Sequence, residues 1–188
     1  IQFDPTLSTG LHNNGRYFNN SFIALDNPLA LANGITNNHL RSNAYGTFTT
    51  EIEPLKGLVG TVRLGGSIDY GQGTSYRDRS TMSGLASRGA GSKSGSDYAH
   101  WLAEFLLKYD KRFGEHNLSL LGGTTFEQFQ SQGLGASSIR FLSDVTYANL
   151  LQSGDNDLGD NVSSYKDRNR LHGVIGRVNY SYKDEYLV

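Results

Sequence analysis

The residues able to do chemistry in this chain are carboxylates, histidines and guanidiniums, and their spacing builds no reaction centre. His12, His39, His100, His116 and His172 form neither an HExxH pattern nor an i, i+4 pair, so they offer no zinc site. The acidic run 155–160 begins like a calcium loop. Such a loop would need an oxygen ligand at 159, glycine at 160 and glutamate at 166, where the chain has Gly159, Asp160 and Lys166. It reads as a solvated acidic loop tip. Residues 89–94 (Gly-Ala-Gly-Ser-Lys-Ser) have the outline of a phosphate loop, but Ser92 stands where the glycine before lysine is required, so they read as a flexible loop. No serine lies in a G-x-S-x-G setting. Glu104 and Glu127 could face each other across paired strands, as glycosidase carboxylates do. The simpler reading is that Arg63, Asp69, Glu104, Lys108, Glu127 and Arg177 are charges that pair inside a wet barrel. The chain is therefore read as no enzyme, with no cofactor and no metal.

What positions these residues is a rhythm of alternating segments and unequal gaps. Residues 40–53, 58–70, 98–113 and 118–130 alternate apolar and polar side chains, and 169–182 does so more loosely. The gaps 54–57, 114–117 and 183–185 are tight turns, whereas 71–97 and 131–168 are long loops rich in Gly, Ser, Asn and Asp. Residues 1–39 read as a long surface loop with a short helical turn at 28–32. In the second segment Leu58, Val62, Leu64, Ile68 and Tyr70 share one face, and Thr61, Arg63, Ser67 and Asp69 the other. Trp101, Phe105, Leu107, Tyr109 and Phe113 repeat this in the third, opposed by His100, Glu104 and Lys108. Leu121, Phe129 and Ile175 break the polar face and are expected to pack against something inside a barrel. Each segment exceeds the roughly 9–11 residues that a tilted strand needs to cross the hydrocarbon core. Tyr109, Phe113, Tyr180, Tyr182 and Tyr186 cluster near the tight turns, as an aromatic girdle would. Short turns on one side and long loops on the other predict an all-β fold, an antiparallel transmembrane β-barrel segment of a bacterial outer membrane.

Composition narrows the alternatives. The chain has 188 residues, 23 Gly, 3 Pro, no Cys and a formal net charge of −1. A near-neutral balance leaves no basic footprint for nucleic acid, and the lack of cysteine excludes disulfides and thiolate metal sites. No stretch approaches the roughly 18 apolar residues of a membrane-spanning helix. The mean hydropathy is negative, which barrels tolerate because only alternate residues face lipid. The chain starts at Ile1 without a signal peptide, and Tyr186-Leu187-Val188 reads as the start of another strand. An internal piece of a longer chain is therefore expected, with the remaining strands elsewhere.

The run Gly176-Arg177-Val178-Asn179-Tyr180-Ser181-Tyr182-Lys183-Asp184-Glu185-Tyr186-Leu187 closely resembles a hairpin of the SusC/RagA-type TonB-dependent transporters of the Bacteroidota outer membrane. Asn27-Pro28-Leu29-Ala30, Leu55-Lys56-Gly57-Leu58 and the strand 120–126 resemble other parts of that barrel in the same order, so the resemblance covers essentially the whole chain. It implies a barrel of about 22 strands with a plugged lumen, of which residues 1–188 are part of the single barrel domain. The plug, the TonB box and the C-terminal strand are not among these residues. It further implies TonB as energy source, a SusD-like surface lipoprotein as lid, outer-membrane lipid around the wall, a dimer of transporter–lid pairs, and an oligosaccharide or peptide as cargo. Ligand contacts are expected on the loops, with Tyr76, Arg77 and Arg79 in one and Tyr147, Asn149 and Tyr165 in the other, unless these contact neighbouring loops or the lid. Two other readings fit the alternation: a passive porin or structural barrel, and a soluble β-rich glycan-binding module that buries Val62, Leu64, Ile68, Phe105 and Leu107 against a second sheet.

Overall fold

A period of two sends neighbouring side chains to opposite faces, so segments that keep it can pair edge to edge and separate two environments. The computed structural model of the chain describes residues 17–18, 26–155, 161–183 and 186–187. Helix α1 (Pro28–Gly34) leads into β1 (Ile35–Leu55) and β2 (Leu58–Arg77). Helix α2 (Met82–Ser87) then precedes β3 (Ala90–Phe113) and β4 (His116–Ile139). A 3-10 turn (Tyr147–Ser153) precedes β5 (Val162–Tyr182) and β6 (Tyr186–Leu187). The strands form one antiparallel sheet in chain order, β1–β2–β3–β4–β5–β6. β6 joins through Ser181 opposite Leu187 and Tyr182 opposite Tyr186. No helix among the described residues is long and apolar enough to cross a membrane.

The strands run farther into the expected loops than alternation indicates. β2 continues to Arg77, β3 begins at Ala90, β4 reaches Ile139 and β5 begins at Val162. The segment 89–94, expected as a flexible loop, largely belongs to β3. The physical reason lies in the side chains. In these extensions Gly and Ser face one another: a Cβ added at Gly71 would lie 2.9 Å from Ser96 Oγ, and one at Gly73 2.7 Å from Ser94 Oγ. Neither face is apolar there, so no hydropathy period marks the strand, while the backbone ladder continues regardless. β1 likewise starts at Ile35 rather than residue 40. The helical turn expected at 28–32 is α1, extended to Gly34, with the buried Asn27 side chain accepting from the Leu29 N–H at 2.9 Å and Pro28 in the first turn. The rest of the expected loop 1–39 lies mostly outside the described residues, as do the acidic run beyond Asp155 and most of the turn 183–185.

Two tight turns depend on glycine. Gly57 has φ 83° and Gly114 has φ 61°, a region that costs other residues about 1–2 kcal/mol. At Gly57 space is also exhausted, since a Cβ would lie 2.2 Å from the Asp110 carbonyl oxygen, and the Gly57 carbonyl accepts from the Asp110 N–H at 2.8 Å. Gly114 has nothing within 4 Å of that position.

The described residues divide into two compact units. One is drawn from Asn43–Asp69, Asp97–Ser131 and Lys166–Val188. Its two faces are as the alternation predicts. Gly60 approaches Leu107, and Phe126 stacks on His172 with ring centres 4.4 Å apart, on the apolar face. Arg63 meets Glu104, and Thr125 lies against Gly173, on the other. Beyond the expected Leu121, Phe129 and Ile175, that polar face carries Leu102, beside Gly65, and Leu106, against Gly123. At the tight-turn end His116 stacks on Phe113 at 5.3 Å and lies 4.8 Å from the Tyr182 ring. Its Nδ1 is 2.6 Å from the Tyr180 hydroxyl. The expected aromatic cluster thus gains a histidine at its centre. The Tyr186 side chain, expected in the same cluster, lies outside the described residues.

The other unit is drawn from Ile1–Ser42, Tyr70–Ser96 and Gln132–Tyr165. It holds a small buried core of Tyr76, Phe141 and Ala148, with Leu151 packed against it. Gly57→Ala should destabilise the full-length barrel by more than the roughly 1–2 kcal/mol of the left-handed backbone alone, whereas Gly114→Asn should cost less than half as much. Urea titration of heat-modifiable gel mobility reads both, and equal costs would contradict the close approach at Asp110.

Candidate functional site

On the polar face of the first unit every strand from β2 to β4 contributes a charge that finds a partner. Arg63 on β2 donates to Glu104 on β3 at 2.7 Å, and the carboxylate is the less exposed of the two. His100 on β3 lies 2.7 Å from Glu127 on β4 and stacks on Phe129, with ring centres 4.4 Å apart and planes 9° from parallel. Lys108 and Asp110, two positions apart and hence on one face of β3, meet at 2.7 Å. Glu104 and Glu127 thus have separate basic partners and form no carboxylate dyad. Of the other lumen residues expected from the sequence, Asp69 is half-buried on β2 and Arg177 is exposed on β5. No group of three or more His, Cys, Asp or Glu able to hold a metal ion occurs among the described residues.

The second unit holds a polar knot that sequence reasoning missed. Tyr76, at the end of β2, is 1% exposed, and its hydroxyl donates to Asp144 Oδ1 at 2.6 Å. Arg79 Nη1 lies 2.8 Å from Asp144 Oδ2, and Arg79 Nη2 donates to the Phe141 carbonyl oxygen. Phe141 and Tyr147 approach the Tyr76 ring edge-on at 5.3 and 5.5 Å. Burial, then the hydrogen bond to the Asp144 carboxylate, raises the Tyr76 hydroxyl pKa well above its ordinary value.

Glycine makes the space for this ring. At Gly89, φ 85°, a Cβ would lie 2.8 Å from the Tyr76 hydroxyl, and at Gly91 one would meet Phe141, Tyr76 and Leu151 at 3.0–3.2 Å. The Arg140 N–H donates to the carbonyls of Ser87 and Gly89, tying the second loop to the first. The sequence signals for this knot were the glycines of 89–91, which the structure uses as a socket.

Of the six expected ligand contacts, Tyr76 and Arg79 are therefore committed to loop architecture, a correction for Tyr76 in particular because its ring is not presented to solvent. Arg77, Tyr147, Asn149 and Tyr165 are exposed. Tyr165 lies over Gly133, where a Cβ would be 2.5 Å from its ring. Leu142 and Val145, 91% and 83% exposed, flank the knot.

Tyr76→Phe should cost the loop core about 1 kcal/mol by orphaning an Asp144 oxygen, and Tyr76→Ala about 3–5 kcal/mol. Hydrogen exchange over residues 141–151 reads both. The raised tyrosine pKa also sets a sign: an unfolded tyrosine releases its proton near pH 10 while the buried one keeps it, so protection should decline above about pH 10. Tyr76→Phe should remove that decline.

The chain is 32% identical over 189 residues to TonB-dependent receptor P3 of Formosa agariphila, covering 99% of this chain and 18% of that protein. It is 27% identical over 170 residues to TonB-dependent receptor P26 of the same organism, covering 86% of this chain and 17% of the relative. The chain thus spans less than a fifth of the curated relatives it matches. Among solved structures, the RagAB peptide importer in its closed-closed state superposes with a TM-score of 0.69 at 20% identity, over 84% of this chain and 17% of that one. The open-open state gives 0.69 at 19%, over 85% and 17%. No family model matches the chain. Likeness along nearly the whole chain to a stretch of TonB-dependent receptors, joined to a sheet architecture shared with the RagAB importer, shows that these residues resemble a barrel segment of the TonB-dependent receptors.

Proposed function

We propose that this chain forms part of the wall and mouth of an outer-membrane importer that takes up oligosaccharides or oligopeptides by TonB-driven transport beneath a SusD-like surface lipoprotein. The 32% identity to a TonB-dependent receptor over 99% of the chain carries this reading. RagAB, a peptide importer of the same fold, supports it. In this proposal residues 1–188 belong to a single barrel domain whose plug and TonB-contacting segment lie outside them. The charge pairs Arg63–Glu104 and His100–Glu127 line the lumen, where water keeps paired charges inexpensive. Arg77, Tyr147, Asn149 and Tyr165 are the cargo contacts, and Tyr76 and Arg79 hold the loops that present them.

Native purification of the full-length receptor from outer membranes tests the proposal. A stoichiometric surface lipoprotein with bound oligosaccharide or oligopeptide is expected, and a receptor that elutes alone even after crosslinking in intact cells would overturn it. The facing of the wall has its own test. Leu64, on the apolar face of β2, should not tolerate arginine: Leu64→Arg is expected to cost about 2–4 kcal/mol near the bilayer midplane and to lower the amount of assembled receptor. Thr61→Arg, on the other face, should leave assembly unchanged.

A further inference from the structure

On the apolar face, the outward residues change abruptly at the same height on two neighbouring strands, to glutamines on β4 and to basic residues on β5. From His116 to Phe126 on β4, and from Tyr182 to His172 on β5, is ten residues each. At about 3.3 Å per residue and a tilt of about 45°, this rises about 23 Å, close to the roughly 25 Å apolar band of such barrels. Between those levels the outward positions are Leu118, Leu120, Gly122 and Thr124 on β4, and Tyr180, Val178, Gly176 and Val174 on β5, all uncharged. The next outward positions are Gln128 and Gln130, and Arg170, Arg168 and Lys166. Trp101, 45% exposed on the same face of β3, adjoins the His100 that stacks on Phe129 and so lies level with Gln128. Tryptophan at that level marks a membrane–water boundary.

The arginines are oriented without being neutralised. Gln130 Oε1 accepts from Arg168 Nε at 3.2 Å and from Nη2 at 2.8 Å, and Gln128 Oε1 accepts from Arg170 Nε at 2.8 Å. A glutamine carbonyl fixes a guanidinium plane but leaves its full charge. Glu127, next to Gln128, and Asp167, next to Arg168, alternate onto the other face, where Glu127 is held by His100. Asp97 is an outward acid on β3, and β4 separates it from β5. Among the described residues, Lys166, Arg168 and Arg170 form no ion pair.

We propose that Arg168 and Arg170, aimed by Gln130 and Gln128 and supplemented by Lys166, form a binding site on the outer wall for the phosphate headgroup of an outer-leaflet lipid. Guanidinium N–H groups not used by the glutamines suit phosphate oxygens, and two arginines at alternate positions on one face can share one headgroup. The site faces lipid and not the lumen, so it is distinct from the cargo path. It rests on the reading that the tight turns are periplasmic, which places this basic row at the outer leaflet.

The full-length receptor in detergent, examined by native mass spectrometry with added lipid A, tests this directly. Lipid A bearing its phosphates should remain bound, and the dephosphorylated form should be retained at least about tenfold less, as the loss of a charged hydrogen bond implies. Arg168→Gln with Arg170→Gln should remove that preference, while Arg168→Lys with Arg170→Lys should keep part of it. Equal retention of the two lipid forms by the unaltered receptor would overturn the proposal without any variant. Displacement by millimolar inorganic phosphate alone would instead show a free-anion site and overturn the lipid assignment. Heat-modifiable mobility of the same sample reports the barrel itself. Its loss in the unaltered receptor would refute the barrel reading, whereas intact mobility without phosphate preference refutes only this site.

Discussion

A backbone that crosses a bilayer cannot leave its N–H and C=O groups unpaired, because hydrocarbon offers no water to bond them. In a strand those groups point sideways, so each strand must be flanked by neighbours along its length, and side chains are left to serve two faces that share nothing. Everything else in this chain follows from that ladder. It explains why Gly57 must turn within two residues of β1's end, against the Asp110 carbonyl. It explains why the sheet follows chain order without crossovers, and why the hydrophobic residues that would form a core in a soluble protein are exposed in rows. Leu64, Ile68, Trp101, Phe105, Leu107 and Val178 are all exposed, and lipid is the medium that would cover them.

The polar face solves a different problem. Charges there are only partly exposed, and pairing them side chain to side chain across strands offsets the cost of that partial desolvation. Arg63–Glu104 and His100–Glu127 each join neighbouring strands, so the pairs also pin register, which a slip of one residue would invert. The apolar breaks on this face, Leu102 and Leu106 with Leu121, Phe129 and Ile175, are local. Phe129 covers the His100 ring and Leu106 fills the space left by Gly123.

Among the described residues, the buried apolar core belongs to the unit that contains the loops. It is small, and its strength comes from specificity more than area: one tyrosine hydroxyl, one carboxylate and one guanidinium satisfy one another around the Tyr76 ring. Because such a knot is costly when half-made, it fixes the loop backbone, while the neighbouring Arg77 and Asn149 stay exposed. Long loops held this way can present a surface with less ordering cost on binding.

The alternation of 58–70 and 98–113 and the contrast of tight and long gaps determined strand order, direction and the division into apolar and polar faces, because periodicity is a property of the chain alone. The helical turn after Asn27 was equally legible from its cap and proline. The strand extensions to Arg77 and Ile139 were not, because Gly and Ser on both faces carry no hydropathy signal even where the ladder persists. Nor could spacing assign partners: Glu104 and Glu127 invited pairing with each other, and the register of β2, β3 and β4 gave them to Arg63 and His100 instead. Tyr76 and Arg79 looked like ligand contacts and became the loop knot, because Asp144 reaches them from 68 and 65 residues along the chain. Sequence set which residues were available to each face, and the tertiary structure chose the partners, since distance between strands and loops is decided only once the ladder has formed.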